Sequence, residues 1–440
     1  MHNFFSCDYY NTSPLNVTHS GSPSDELYRE LRRVSALRSG EYVSHNEVVR
    51  LPLDPHILSE SKQMAERFYS SQLKFIVLIG IGGSNLGTKA VYDALRGQLD
   101  LLSGATPKII FLDTTSVTLI RDIEEALGGQ VLYKEQILIN LVSKSGSTTE
   151  SIVNFELLMA YLLKHVEGIE ERVVCTTDHG SPLWKIAEKK KYGLLPIPKM
   201  VGGRFSVFSS VGIFPLLLCG IDVVSLREGA KDMLLQCLST DPQMHHSRRS
   251  AEILFAEMKR GVSIFNIFHF APELESMGKW ERQLIAESIG KEKDITGKVV
   301  HAGITPIVSI GSTDLHSMAQ LYFGGPRDKF TMLVGVQSVS VRRVPEETLL
   351  PGLVSGIEKK TASDVMSAIF QGVVGAYKKH RLPFAEVSLP PPSPHVLGAY
   401  LQWRMLTVIN LAILMHINPY DQPSVEDYKE GTRAVLSVLR

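Results

Sequence analysis

The sequence predicts an α/β protein made of two doubly wound parallel sheets, each covered by helices on both faces. Three observations lead there. Strand-length apolar runs alternate with helix-length segments, the alternation occurs in two series, and 440 residues are too many for one ordinary core. In the first series the runs are 75–79, 109–112, 137–142, 173–176 and 194–197, with helical stretches between them such as 86–95 and 151–163. Strand–helix–strand succession of this kind calls for right-handed crossovers and hence parallel pairing. The second series begins near Ser263 with 264–268, continues at 307–310 and 330–336, and closes on long helices over 397–413 and 425–439. This divides the chain into an N-terminal segment at 1–49 that packs on the second lobe, a first α/β domain at 50–221, and a second at 222–440 with C-terminal helices. The N-terminal segment is polar with helical fragments such as 25–35, and the Pro-rich run 389–394 reads as a stiff surface connection.

Composition narrows the function. Forty-six basic side chains face 46 acidic ones, so no global field draws the chain to nucleic acid or an anionic membrane. Any anionic ligand has to be held by local groups. Cys7, Cys175, Cys219 and Cys237 are scattered, with no C-x-x-C pair and no metal-ligand spacing. A reduced cytoplasm therefore fits better than a disulfide-forming compartment. The first twenty residues lack the basic start and apolar run of a signal peptide. The longest uncharged stretch, 205–221, contains serines, Gly212 and Pro215, and reads as a buried core helix rather than a membrane span.

In open parallel sheets ligands bind beyond the carboxyl ends of the strands, so the loops after the apolar runs carry the information. The first is Gly80-Ile81-Gly82-Gly83-Ser84-Asn85, which follows the run 75–79 and opens a helix. Glycines let backbone approach an anion, and a helix start offers free N–H groups. A dinucleotide site is the rival, but Asn85 stands where the third glycine of G-x-G-x-x-G belongs, and Asp113 lies far downstream for a ribose acid. On this loop alone the anion site, the dinucleotide site and a plain structural turn all stay open.

The second loop, Ser143-Lys144-Ser145-Gly146-Ser147-Thr148-Thr149-Glu150, shifts the balance. A phosphate monoester is a compact dianion with several acceptor oxygens, and hydroxyls clustered at a helix N-terminus match it. The spacing of a Walker A loop is absent. A capping box completed by Glu150 would account for one or two of the hydroxyls but not for five in seven positions.

Four further stretches supply chemistry. Val201-Gly202-Gly203-Arg204 sets a permanent cation behind two glycines, able to stabilise an enediolate without titrating. The span 272–288 reads as a helix with Gln283 and Glu287 four apart on one face. Burial among Leu284, Ile285 and Ile289, with the negative end of the helix dipole, should raise the Glu287 carboxyl toward the range of a useful base. His316, after the run 307–310, can carry a proton either way near neutrality. Gln422 and Lys429 lie two helical turns apart near the end of the chain.

Together these stretches resemble the phosphoglucose isomerase family, over most of the chain from about Ile76 to Lys429 and in the same order. VGGRFSVFSSVG at 201–212 and YDQPSVEDYK at 420–429 are the specific blocks. GIGGS and SKSGSTTES occur more widely in sugar-phosphate-binding, sugar-isomerase (SIS-type) domains. The resemblance implies reversible interconversion of glucose 6-phosphate and fructose 6-phosphate through a cis-enediol, a step of glycolysis and gluconeogenesis, with no cofactor and no metal. It implies that Glu287 is the base moving the proton between C2 and C1, that His316 and Lys429 assist ring opening, and that Arg204 stands beside the enediolate. Ser143, Lys144, Ser145, Ser147 and Thr148 would bind the phosphate. Gly83, Ser84, Gln283 and Gln422 would line the pocket, and Glu150 would partner the histidine. The resemblance further implies a homodimer in which His316 crosses the interface. Ser424 stands where the family usually has Gly or Ala, after Pro423, and the chain has the compact bacterial length. A sugar-phosphate sensor would need only the phosphate loops, and a nicotinamide-dependent dehydrogenase would need the intact glycine fingerprint. Activity on mannose 6-phosphate is not excluded.

Overall fold

The computed structural model describes residues 5–12, 23–37, 39–337 and 341–439. The chain opens with strand β1 (Ser6–Tyr10), helix α1 (Pro23–Ser35), a 3-10 turn at His45–Leu53 and helix α2 (Pro55–Phe68). The first lobe follows as β2 (Phe75–Ile79), α3 (Leu86–Arg96), β3 (Lys108–Leu112), α4 (Val117–Gly128), β4 (Ile137–Val142) and α5 (Thr149–His165). It ends with β5 (Val173–Asp178), α6 (Pro182–Lys189) and β6 (Gly193–Ile197). Helices α7 (Ser210–Leu218), α8 (Val223–Cys237) and α9 (His246–Lys259) lead to the second lobe. That lobe runs β7 (Ile264–His269), α10 (Glu275–Ile289), the hairpin of β8 (Lys291–Lys293) and β9 (Val299–Ala302), β10 (Thr305–Ile310) and α11 (Thr313–Gly324). It closes with β11 (Lys329–Val336), α12 (Ala362–Lys379), β12 (Phe384–Leu389), α13 (Pro394–Leu414) and α14 (Glu426–Val438).

The first sheet has the order β3-β2-β4-β5-β6 and is parallel throughout. Its central strands are buried on both faces, which is why their sequences are continuous apolar runs. The polar exception, Asn140, donates from its Nδ2 to the Val174 carbonyl at 3.2 Å and to Thr176 Oγ1 at 3.1 Å. The second sheet, β1-β12-β11-β7-β10, is parallel except for β1, which joins β12 antiparallel at the edge.

Three segments differ from their expected form. The run 389–394 is not a single connection. Leu389 ends β12, and Pro394 opens α13 behind Ser393, whose hydroxyl caps the Val396 amide at 3.3 Å. The stretch 205–221 is not one helix but the 3-10 turn Gly203–Phe208 followed by α7, because Ser209 adopts extended backbone and caps Val211. Helix α14 forms as expected, yet none of its residues is buried.

Helix α13 is long and apolar enough to cross a membrane, but it is buried from Val396 to Ala412 against α8, α9, α10 and α1. Its crossing with α8 brings backbone onto backbone: a Cβ at Gly398 would fall on the Leu226 carbonyl, and one at Gly229 on the His395 carbonyl. The two lobes meet where α3 packs on α10, with Ser276 Oγ donating to Asp93 Oδ2 at 2.5 Å. Gly398→Ala should therefore force α8 and α13 apart and cost roughly 1–3 kcal/mol. An unchanged denaturation midpoint would contradict this account of the crossing.

Candidate active site

In the first sheet β3 and β4 flank β2 on opposite sides, so the chain reverses direction across the sheet at β2 and leaves a crevice beyond the carboxyl ends of β2 and β4. The glycine loop after β2 and the hydroxyl loop after β4 meet there. A Cβ at Gly80 would lie 3.1 Å from the Val142 carbonyl oxygen. Gly82 takes a left-handed φ of 57°, and a Cβ on it would lie 2.9 Å from Nε2 of Gln283. Gly83 lies back to back with Gly203, so closely that a Cβ at Gly83 would fall on the backbone of Gly203 and Arg204. Ser206 fastens the pair, its hydroxyl reaching the Gly203 carbonyl at 2.7 Å and the Gly83 carbonyl at 3.2 Å.

This apposition presents Arg204, whose side chain is 1% exposed. Its Nε donates to Ser288 Oγ at 2.7 Å, and Nη1 donates to Gln422 Oε1 at 2.8 Å and Glu287 Oε2 at 3.2 Å. Nη2 donates to the carbonyls of Pro419 and Asp421. Trp280 Nε1 holds the Arg204 carbonyl at 3.3 Å. Burial lowers the guanidinium pKa and the neighbouring Glu287 and Asp421 oppose that shift.

Glu287 lies in the last turn of α10 and is bonded on both oxygens, by Arg204 and by Gln283 Nε2 at 2.9 Å. The burial expected of it is not found. Leu284, Ile285 and Ile289 are buried, while the Glu287 side chain is 32% exposed and opens on the crevice. Gln283 Oε1 is buried with no hydrogen-bond partner among the described residues, an acceptor available to a ligand hydroxyl.

The loop from Ser143 to Thr148 is closed by its own hydroxyls. Ser143 Oγ and Thr148 Oγ1 are 2.9 Å apart, and Ser147 donates to Ser145 Oγ from its backbone N–H and its hydroxyl, both at 3.3 Å. Thr148 is the N-cap of α5 but caps no amide with its side chain, so a capping box does not account for the cluster. Lys144 turns away from the loop, its Nζ donating to the Lys199 carbonyl at 2.7 Å, and burial lowers its pKa. In the glycine loop Asn85 Nδ2 engages Asp113 at 3.2 Å, which ties up the acid a dinucleotide reading requires.

The structure thus brings together Gly83, Ser84, Arg204, Gln283, Glu287 and Gln422, next to the 143–148 loop. Three candidates stay apart from this group within one chain. His316 is exposed on α11, beyond edge strand β10, with no hydrogen bond or ion pair among the described residues. Lys429 is on α14 and pairs with Glu426 at 2.7 Å, where the motif reading aims it at the pocket. Glu150 is half-buried and does not touch His316. Ser424 is exposed, and nothing in the structure connects it to how Gln422 is aimed.

Sequence reasoning missed Lys291. Its side chain is 5% exposed, and its Nζ donates to the Glu287 carbonyl at 2.8 Å, pairs with Asp421 Oδ1 at 3.1 Å and also meets the Asp421 carbonyl. It caps the C-terminal end of α10 and fastens the 419–422 segment there. The one available signal was a lysine directly after the helix-ending Gly290.

Residues 61–440 match the sequence model of the phosphoglucose isomerase family. The chain is 32% identical to a probable glucose-6-phosphate isomerase of Methanococcus maripaludis over 370 residues, 84% of this chain and 80% of that one. It is 30% identical to the glucose-6-phosphate isomerase of Leuconostoc mesenteroides over 409 residues, 91% of this chain and 88% of that one. Among solved structures, a hypothetical protein of Thermus thermophilus superposes with a TM-score of 0.80 at 30% identity, covering 94% of this chain and 95% of that one. A glucose-6-phosphate isomerase of Chlamydia trachomatis shares the fold with a TM-score of 0.75 at 22% identity, covering 94% and 84%.

Lys291→Met should loosen the 419–422 segment, which Arg204 still holds, at a cost of about 1–3 kcal/mol for the carbonyls left behind. Amide exchange at Asp421 and Gln422 should accelerate while the first sheet stays protected. Unchanged exchange there would remove Lys291 from this role.

Proposed function

This chain belongs to the phosphoglucose isomerase family, and we propose that the crevice between the 143–148 loop and α10 is where it interconverts glucose 6-phosphate and fructose 6-phosphate. One observation carries the reading: a solvent-facing carboxylate, Glu287, is held 3.2 Å from a guanidinium almost closed off from water. The carboxylate can reach a ligand's carbon-bound hydrogen, and the guanidinium cannot leave.

The phosphate docks on the hydroxyls and N–H groups of the 143–148 loop at the start of α5. With the sugar open, Glu287 takes the proton from C2, and the C2–H electron pair moves into a C1–C2 double bond as negative charge passes to the carbonyl oxygen at C1. Arg204 stabilises that charge, and its burial makes the interaction stronger than it would be in water. The proton of the C2 hydroxyl passes to the C1 oxygen, and Glu287 returns its own proton to C1 as the C2 oxygen becomes the new carbonyl. One carboxyl serves both transfers, as a glutamate does in triose phosphate isomerisation. Gln283 fixes the carboxylate and offers its free Oε1 to a sugar hydroxyl.

Ring opening falls to His316 and Lys429. The exposed position of His316 on α11 suits delivery to a neighbouring subunit's crevice, and a homodimer is the assembly that does this. Lys429 is carried by a helix whose main contact within one chain is the short turn Pro423–Val425, so α14 can be repositioned without disturbing the core. All four cysteines are free thiols, in keeping with a reducing cytoplasm.

Pure, EDTA-treated protein should convert fructose 6-phosphate to glucose 6-phosphate in an assay coupled to a dehydrogenase, and no conversion would sink the reading. Glu287→Gln should lower kcat by roughly 10² or more with KM little changed. Arg204→Lys should depress kcat more than affinity because the planar fork is lost. Mixing inactive His316→Ala with inactive Glu287→Gln subunits should restore roughly a quarter of normal activity, one whole site in each mixed dimer. No recovery after subunit exchange would confine His316 to its own chain.

A further inference from the structure

We propose that Asp178 makes phosphate binding at this crevice proton-linked: its carboxyl is ionised in the empty protein near neutral pH and takes up a proton when the phosphate dianion arrives. The inference rests on the 143–148 loop being the phosphate cradle. It concerns a residue outside the group assembled around Glu287.

Asp178 is the last residue of β5, the strand beside β4, and its backbone is joined to the start of that cradle. The Asp178 N–H donates to the Lys144 carbonyl at 3.2 Å, Thr177 Oγ1 donates to the same oxygen at 3.3 Å, and the Ser143 N–H donates to the Thr176 carbonyl at 3.1 Å. The loop's tip also rests on the start of α6. Gly146 has a left-handed φ of 70°, and a Cβ there would lie 2.8 Å from the Leu183 nitrogen and 2.9 Å from Ser181 Oγ.

Within this seam Asp178 Oδ1 is buried and has no hydrogen-bond partner among the described residues. Such an oxygen is costly as a carboxylate and cheap as part of a neutral acid. The cations facing it are Lys144, from the cradle, and Lys199, after β6, and both favour the ionised form. Neither makes an ion pair with it: Lys144 gives its ammonium to the Lys199 carbonyl instead. His179, on the same turn, packs its ring 4.6 Å from that of Trp184. Burial outweighs the two lysines and lifts the carboxyl to about 6.

A dianion in the cradle brings like charge to the same seam and pushes the carboxyl further toward its neutral form. Near pH 7 the empty protein therefore holds Asp178 largely ionised, and the loaded protein holds a larger protonated fraction. The sign follows: above about pH 6 the protein works against an ionised Asp178 to bind its ligand, and below that it does not. The phosphate monoester's own second ionisation, near pH 6, pulls in the opposite direction. Only a ratio between two proteins, in which the ligand's titration cancels, isolates the residue.

The test uses sorbitol 6-phosphate, which has no carbonyl and cannot isomerise, so that binding is read apart from turnover. Its Kd is measured by calorimetry for the wild type and for Asp178→Asn at about pH 5.5 and about pH 8. The wild-type to variant Kd ratio should be near one at the acid end and rise to about tenfold at the alkaline end. The wild type, titrated near pH 7 in buffers of different ionisation enthalpy, should take up protons on binding, a readout that needs no variant. Fructose 6-phosphate turnover by Asp178→Asn should show a KM shifted in the same pH-dependent way, with the pH profile of kcat kept. A merely structural role would change the ratio equally at every pH. A flat ratio, net proton release, or no binding by the wild type overturns the proposal. If the ratio moves as stated while neither protein isomerises fructose 6-phosphate, the isomerase reading fails and this one stands.

Discussion

A guanidinium cut off from water has to be given acceptors, and Arg204 collects them from distant parts of the chain. Five hydrogen bonds run from it to Glu287, Ser288, Pro419, Asp421 and Gln422. Removing any of these groups would leave a buried charge short of partners, which is among the more expensive defects a protein can carry. The end of α10 and the 419–422 segment are thereby held to one point, and that point is fixed from behind by the contact of Gly83 with Gly203. One side of the crevice keeps its shape because a single cation needs both segments.

Helix α10 is constrained on its other side as well. Glu281, fully buried, accepts from Arg404 Nε at 2.6 Å and from Tyr400 OH at 2.8 Å, both on α13. Breaking this pair would leave an uncompensated buried charge, which ties α10 to α13 in this arrangement. With α3 packed along it as well, α10 has little freedom to rotate. Gln283 and Glu287, four apart, therefore face the crevice together.

The strands at the middle of each sheet were legible because burial on both faces writes itself as an unbroken apolar run. Strands β1 and β12 were not. Both lie toward one edge, β12 carries Glu386 and Ser388 at half-buried positions, and β1 includes Asp8. The glycine loops were legible for a geometric reason, since left-handed backbone at Gly82 and Gly146 and contact between chain segments at Gly83 leave no room for another residue. The burial of Arg204 and Lys291 was not. An arginine or lysine reads as a surface residue until its acceptors are known, and the Asp421 carbonyl that Lys291 uses lies 130 positions away. The half-open setting of Glu287 was missed for a related reason: Ile285 and Ile289, two positions to either side, belong to the opposite face of its helix. Tertiary partners, not local pattern, decide such cases.

Helix α14 has a different status from everything it follows. Among the described residues none of its thirteen is buried, and a helix of that length is marginal in water by itself. Val435, Val438 and Leu439 are exposed. The tail is thermally a peptide tethered to a protein. Little besides its own backbone hydrogen bonds and the Pro423–Val425 turn supports it among the described residues, so fraying of this helix moves Lys429 without any change in the sheets.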